Sequence, residues 1–254
     1  MKVVKVEKYE EVCEHASEMV LTAWKQHPQL VLGLATGSTP IGFYRRLVER
    51  YLQERLDFSG ITTFNLDEYY PIKRSHPQSF ARFMKEHFFD HVNIPAEQIH
   101  ILNGEALDTG EECSRFEAGI DAAGGVDIQI LGIGRNGHIG FNEPGTPFGS
   151  RSHLVALTAS TIQANSRFFA DPSEMPRHAL TMGIQTIMKS KKILLLAVGE
   201  GKAEAIRLAL QGPVTEAMPA SILKRHPDVT LILDRGAASL LGGGVQDAAA
   251  RDSQ

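Results

Sequence analysis

Val126-Asp127-Ile128-Gln129-Ile130-Leu131-Gly132-Ile133-Gly134-Arg135-Asn136-Gly137-His138-Ile139-Gly140-Phe141-Asn142-Glu143-Pro144 is the stretch on which the reading of the chain turns. Residues 126–131 are an apolar run with the length and composition of a buried strand. Residues 132–144 then pack four glycines, one histidine, one carboxylate and two amides into thirteen positions. A turn needs the glycines, but not a histidine and a glutamate five residues apart. Histidine exchanges a proton near neutrality, and a carboxylate beside it fixes its tautomer and raises its basicity. A polar glycine loop mounted on a strand is where a rigid scaffold carries chemistry.

The same pattern repeats outward from this stretch. Residues 29–34 form a second continuous apolar run and end in Thr36-Gly37-Ser38-Thr39-Pro40. Residues 61–66 form a third and end in Asp67-Glu68-Tyr69-Tyr70, with the carboxylates read as part of a loop. Residues 192–198 form the most apolar run and end in Gly199-Glu200-Gly201-Lys202. Residues 3–6 and 229–233 are shorter strand segments. Helical spacing of apolar residues marks 9–25, a helix opened by Pro40, 77–90, 109–123 and 203–210. Residues 151–158 read as less regular, followed by a helical piece through Asn165, Arg167 and Phe168. Residues 179–187 read as a short strand leading into a helical turn. Strands that are solid apolar runs, alternating with helices, predict an α/β fold built on an open, mostly parallel sheet with helices on both faces. No linker or repeat divides the chain, so residues 1–241 are expected to form one domain and residues 242–254 a disordered polar tail.

Composition excludes several classes of function. With 254 residues, 43% of them hydrophobic, the chain can bury one sizeable core. The net charge of -4 and the lack of a basic run argue against a nucleic-acid binder. Its apolar runs are far shorter than the ~20 residues needed to span a bilayer, and the first residues lack a signal-peptide core. Cys13 and Cys113 form neither a disulfide framework nor a metal cluster, and His138, His76 and His153 share no ligand spacing. The expectation is a soluble cytoplasmic protein without metal.

In a parallel sheet the carboxyl ends of the strands share one edge, and ligands bind there. All four unusual loops follow strands, so they are expected to build one site. Hydroxyls and backbone N–H groups at Gly37-Ser38-Thr39, ahead of a helix, suit a phosphate; Ser38 and Thr39 are also suited to capping that helix. Lys202, in the first turn of a helix, opposes the helix dipole unless an anion is present. Asp67 or Glu68, at a buried strand end, suits a general base, and pattern alone does not choose between them. By itself Arg167 reads as an arginine packing its stem on aromatics. The sum is an enzyme for a small phosphorylated metabolite using carboxylates and a histidine.

At these residues the chain resembles the glucosamine-6-phosphate deaminase family, also called glucosamine-6-phosphate isomerases. The matching motifs are LGLATGSTP (32–40), FNLDEY (64–69), GIGRNGHIGFNEP (132–144), ANSRFF (164–169) and ALTMG (179–183), in that order and reaching to about Asp234. The resemblance implies a Rossmann-like α/β fold, no metal or organic cofactor, and conversion of glucosamine 6-phosphate and water to fructose 6-phosphate and ammonia. It implies Asp67 as the general base moving a proton between C2 and C1, and His138 as the group that opens the sugar ring. Glu143 and Asn136 match the positions that orient and tune the histidine. Gly37, Ser38, Thr39, Arg167 and Lys202 match the phosphate-binding positions.

Two departures stand out. Some members carry aspartate where this chain has Asn136. Allosteric members carry an arginine and a lysine where this chain has His153 and Val155, so an effector-driven hexamer is not expected; a monomer or small homo-oligomer is. The alternatives are a 6-phosphogluconolactonase, disfavoured by Asp67-Glu68-Tyr69 and the Phe141-Asn142-Glu143-Pro144 continuation, and a non-catalytic sugar-phosphate sensor. Residues 145–157 are the expected lid, because lids are often irregular.

Overall fold

The computed structural model describes residues 1–169 and 171–242. Ten strands and seven α-helices alternate along them. The strands are β1 (Lys2–Lys5), β2 (Val31–Leu34), β3 (Thr62–Asn65), β4 (Asp67–Tyr70), β5 (Ile99–His100), β6 (Ile128–Leu131), β7 (His153–Ala156), β8 (His178–Thr181), β9 (Lys192–Ala197) and β10 (Val229–Leu233). The helices are α1 (Tyr9–Gln26), α2 (Ile41–Glu54), α3 (Phe80–His87), α4 (Thr109–Ala122), α5 (Ala159–Ser166), α6 (Ile184–Met188) and α7 (Ala203–Gln211).

Seven strands form one sheet in the order β1-β10-β9-β6-β2-β3-β5, and every neighbouring pair is parallel. The apolar runs explain this. β2, β6 and β10 are buried at every position and β9 at all but its first, as strands covered on both faces must be. Helices flank the sheet. On one face Phe116 of α4 meets Phe64 of β3 edge-on, with ring centroids 5.6 Å apart. Helix α1 turns Val12, Ala16 and Val20 inward at helical spacing and packs on α2, β9 and β10. In the middle of the sheet Gly33 makes room for a polar neighbour: a β-carbon there would sit 2.0 Å from Oε1 of Gln129 on β6.

The strand order carries the functional consequence. β2 connects onward to β3 on one side, and its other neighbour β6 connects onward to β9 on the far side. The sheet therefore has a topological switch point between β2 and β6, where a crevice opens at the carboxyl edge. The four polar loops follow β9, β6, β2 and β3, which are consecutive in the sheet.

A second sheet was not legible in the sequence. β4, β8 and β7 pair antiparallel in the order β4-β8-β7. Asp67-Glu68-Tyr69-Tyr70, read as a loop, is strand β4, and the stretch 151–158, read as less regular, contains β7. Leu66 joins the two sheets: its N–H donates to Leu34 O at 2.9 Å, and its carbonyl accepts from Met182 N at 2.6 Å. The expected helix at 77–90 is shorter, because Ser79 caps α3 by accepting from Arg82 N at 3.0 Å. A small apolar cluster of Tyr69, Ile72, Phe141, Leu157, Phe169 and Met175 seals the second sheet. The expected disordered tail, 242–254, lies outside the described residues apart from Gly242.

Candidate active site

Asp67 and Glu68 are adjacent in the chain, and their surroundings separate them. Both are buried. Glu68 accepts three backbone hydrogen bonds, from Tyr69 N at 2.9 Å, Phe80 N at 2.8 Å and Ala81 N at 2.9 Å. Two of these donors are unpaired N–H groups of the first turn of α3, so Glu68 is committed to satisfying a helix end. Burial pushes the Glu68 carboxyl up to about 7, with the three N–H groups opposing the shift. Asp67 accepts no hydrogen bond from the described residues. Burial first, and the neighbouring Glu68 charge second, push its carboxyl up to about 8. Of the pair, Glu68 holds negative charge more readily and Asp67 holds the proton. A free carboxyl titrating near neutrality is what a general base requires.

The 132–144 loop folds against Asp67. A β-carbon at Gly140 would lie 3.6 Å from Asp67 Oδ2 and 3.0 Å from Thr181 Oγ1. Thr181, at the end of β8, accepts from Phe141 N at 3.1 Å, and Asn142 Nδ2 donates to Met182 O at 2.8 Å. The small sheet thus clamps the loop. Gly134 has a specific reason: a β-carbon there would meet the His138 ring at 2.2 Å, so only glycine lets the imidazole lie on the backbone.

Glu143 gathers the polar groups of the loop. Its Oε2 accepts from Asn136 Nδ2 at 2.6 Å and lies 3.5 Å from His138 Nδ1. That second distance is longer than an ordinary hydrogen bond, and the His138 nitrogen has no closer partner among the described residues. Its Oε1 accepts from Thr161 Oγ1 at 2.7 Å and Thr158 Oγ1 at 3.3 Å. Burial alone would raise this carboxyl. The adjacent His138 ring first, and the Thr161 hydroxyl second, outweigh burial and hold it down at about 2. Glu143 is therefore a fixed negative charge facing the imidazole. It stands 3.5 Å from the ring nitrogen and is placed to orient the ring.

Gly37, Ser38 and Thr39 follow β2, with Gly37 at φ +98° and open space where a side chain would be. Ser38 and Thr39 do not cap α2, contrary to one sequence reading. Pro40 occupies the cap position, and the Tyr9 hydroxyl does the satisfying: it accepts from Gly42 N at 2.8 Å and donates to Thr39 O at 3.0 Å. The backbone N–H groups of Gly37, Ser38 and Thr39 make no hydrogen bond within the described residues. Lys202 stands at the N-cap of α7 rather than within its first turn, and its Nζ donates to Ile133 O at 2.6 Å. It is thereby tied to the histidine loop. Burial first, and the nearby Arg135 charge second, lower its pKa.

The Gly37–Thr39 loop is held by Tyr9 and makes no hydrogen bond or ion pair with the other expected site residues among the described residues, and neither does Arg167. That arginine is exposed at the C-cap of α5, its guanidinium lies over the Phe168 ring at 4.8 Å, and it makes no hydrogen bond or ion pair among the described residues. The stretch expected as a lid is also firmer than expected from residue 150 on. Glu117 of α4 accepts from Ser152 N at 2.7 Å and from Arg151 Nη2 at 3.1 Å, and residues 153–156 are β7. Sequence reasoning missed Tyr9, Thr158 and Thr161. The threonines carry a signal in hindsight, a hydroxyl pair three apart at a helix start. Tyr9 carries none, being separated from its partners by the whole of α1 and β2.

A buried carboxyl, a histidine–carboxylate pair and a loop with free N–H groups, all following strands beside the switch point of a parallel sheet, are a combination that suits acid–base chemistry on an α/β fold. The family model described as glucosamine-6-phosphate isomerases/6-phosphogluconolactonase matches residues 5–232, and the chain belongs to that family. It is 53% identical over 241 residues to a glucosamine-6-phosphate deaminase from Thermoanaerobacter pseudethanolicus, covering 95% of each chain. It is 52% identical to one from Clostridioides difficile, covering 95% of this chain and 97% of that one. A solved monomeric glucosamine-6-phosphate deaminase superposes with a TM-score of 0.92 at 50% identity, covering 94% of this chain and all of that one. The 6-phosphogluconolactonase of Leishmania guyanensis superposes at 0.75 with 21% identity over 94% of this chain and 98% of that one, which shows the shared fold alone.

Proposed function

We propose that this chain converts glucosamine 6-phosphate and water to fructose 6-phosphate and ammonia. The observation that carries the reading is Asp67: a buried carboxyl with no hydrogen-bond partner among the described residues and a pKa raised to about 8, lying against the histidine loop. A lactone hydrolysis has no need of a base that takes a proton from carbon; an aldose–ketose isomerisation does.

The steps follow from the groups. The phosphate binds the N–H groups at Gly37, Ser38 and Thr39 and the ammonium of Lys202, with Arg167 joining it from the end of α5. His138 moves a proton from the anomeric hydroxyl to the ring oxygen, opening the sugar; Glu143 balances the imidazolium charge and Asn136 holds Glu143. Asp67 removes the proton from C2, forming a C1–C2 enolamine, and returns it to C1. The resulting C2 imine takes up water and releases ammonia. Residues 1–241 act as one domain in the cytoplasm, as a monomer or small oligomer. That assignment is supported by the likeness to a monomeric deaminase and by the absence, among the described residues, of any helix long and apolar enough to cross a membrane.

The test is fructose 6-phosphate formation by the purified protein, with 6-phosphogluconolactone as a parallel substrate. Turnover of the amino sugar with ammonia release is the expected result. Hydrolysis of the lactone instead overturns it, and tight sugar-phosphate binding without turnover of either supports a sensor.

A further inference from the structure

Arg135 sits between Gly134 and Asn136 in the histidine loop, and nothing above assigns it a role. Some arginines of this protein sit in ion pairs, and others, Arg167 among them, have no such partner among the described residues. Arg46, Arg50, Arg115, Arg151 and Arg207 each reach a carboxylate. Arg135 makes no ion pair or hydrogen bond among the described residues, although it is exposed and free to seek one. Instead it lies beside another cation. Its Nε, Nη2 and Cζ are 3.5, 3.6 and 3.8 Å from where a β-carbon at Gly201 would stand, directly before Lys202. Lys202 in turn holds the Ile133 carbonyl, two residues before Arg135. Glu200 and Glu204 each lie two residues from Lys202 along the chain; Glu204 pairs with Arg207, and Glu200 forms no ion pair among the described residues.

Two positive side chains brought together without a carboxylate repel each other, and the repulsion is relieved when an anion lies between them. The fall in the Lys202 pKa records the same repulsion, behind the effect of burial. Both cations stand on the loops after β6 and β9, and the unpaired N–H groups of 37–39 stand on the loop after β2, which neighbours β6. The free N–H groups, Arg135 and Lys202 thus stand on the loops after three consecutive strands, β2, β6 and β9, at one edge of the sheet.

We propose that Arg135 is a further phosphate-binding residue, closing the anion subsite from the histidine-loop side. This rests on the sugar-phosphate reading of the site. It also gives that loop two functions, since the residues after Arg135 carry the proton-transfer group. Phosphate engagement by Arg135 and ring opening by His138 are then made by one rigid turn.

The experiment compares wild type with Arg135→Gln and Arg135→Lys. The measurements are kcat and KM for glucosamine 6-phosphate, the inhibition constant of inorganic phosphate, and thermal melting. A charge-assisted contact to phosphate predicts KM and the phosphate inhibition constant both raised about tenfold in R135Q, kcat within about twofold, and most of the loss restored in R135K. Unchanged KM and phosphate inhibition in a folded R135Q overturn the proposal. So does a loss confined to kcat, which would make Arg135 a support for Asn136 and His138. If wild type fails to turn over the amino sugar, the functional reading falls. Calorimetric binding of fructose 6-phosphate and of inorganic phosphate to the same three proteins then decides the role of Arg135 separately.

Discussion

Asp67 and Glu68 show how two identical functional groups one residue apart come to differ. Three backbone donors hold Glu68, and none reaches Asp67. A base must be ionised to work, so kcat/KM is expected to rise with pH along a limb near 8, the value to which Asp67 is raised. Glu68→Gln removes a negative charge beside Asp67, which lowers the Asp67 pKa and moves that limb to lower pH. The same change weakens the N-terminus of α3 by about 1–2 kcal/mol, visible in thermal melting. A pH–rate profile of E68Q superimposable on wild type contradicts the assignment. The linkage to stability has the matching sign. Folded Asp67 keeps its proton where the unfolded chain has lost it, so its contribution makes the protein less stable as pH rises from 3.8 towards about 8. Asp67→Asn removes that slope, which denaturant titrations at pH 5 and pH 8 measure.

Asn136 is the second residue with a pH consequence. Its amide donates to Glu143 Oε2 at 2.6 Å. In Asn136→Asp a carboxylate faces Glu143 at that separation, and two carboxylates so close cannot both ionise at low cost. The acidic limb of the rate profile is expected to move to higher pH in N136D. An unmoved limb shows that the amide does not tune the histidine pair.

At the scale of elements, α1 and α2 are joined by the ion pairs Arg46–Glu14, Arg50–Glu14 and Lys25–Glu54, and by the Tyr9 hydroxyl, which also holds the 37–39 loop. Burial pushes the Tyr9 phenol up to about 12, so it stays protonated and keeps both its donor and its acceptor role. Tyr9→Phe leaves Gly42 N and Thr39 O without their partner. The expected cost is about 1 kcal/mol of stability, with a severalfold rise in KM for the phosphorylated substrate and little change in kcat. A KM equal to wild type shows that the loop holds its shape without Tyr9. Helix α5 is tied to the site differently, through Thr161 and Glu143. That bond joins the histidine pair to the helix whose end carries Arg167.

For the whole molecule, the two sheets meet at Leu66, and Asp67, the proposed base, follows it immediately. The position of Asp67 is thus set by a junction that neither sheet makes alone. The proposed monomer or small oligomer is checked by light scattering at several protein concentrations. N-acetylglucosamine 6-phosphate is expected to leave the saturation curve unchanged, because His153 and Val155 occupy the positions where allosteric members carry cations. A curve shifted by that compound, or a hexameric mass, refutes this.

Periodicity and apolar runs sufficed for six of the seven strands of the large parallel sheet, its helices and the placing of four polar loops after strands, since burial on both faces leaves a direct mark on composition; β5, two half-buried residues at the edge, leaves no such mark. The motif 132–144 was legible for the same reason: glycines, a histidine and a glutamate so close together have few uses. The small antiparallel sheet was not legible. β4 and β7 are four residues each and are held by β8, far from both in sequence, so neither announces itself locally. What the sequence determined by itself was the fold class, the edge of the sheet that carries the chemistry, and the residue types gathered there. Only the tertiary structure decided which of two neighbouring carboxylates is free, which hydroxyl shapes the anion loop, and which arginine stands beside Lys202. Each of these depends on a partner brought in from another element, and the electrostatics of a buried group is set by what surrounds it in space, not by its neighbours along the chain.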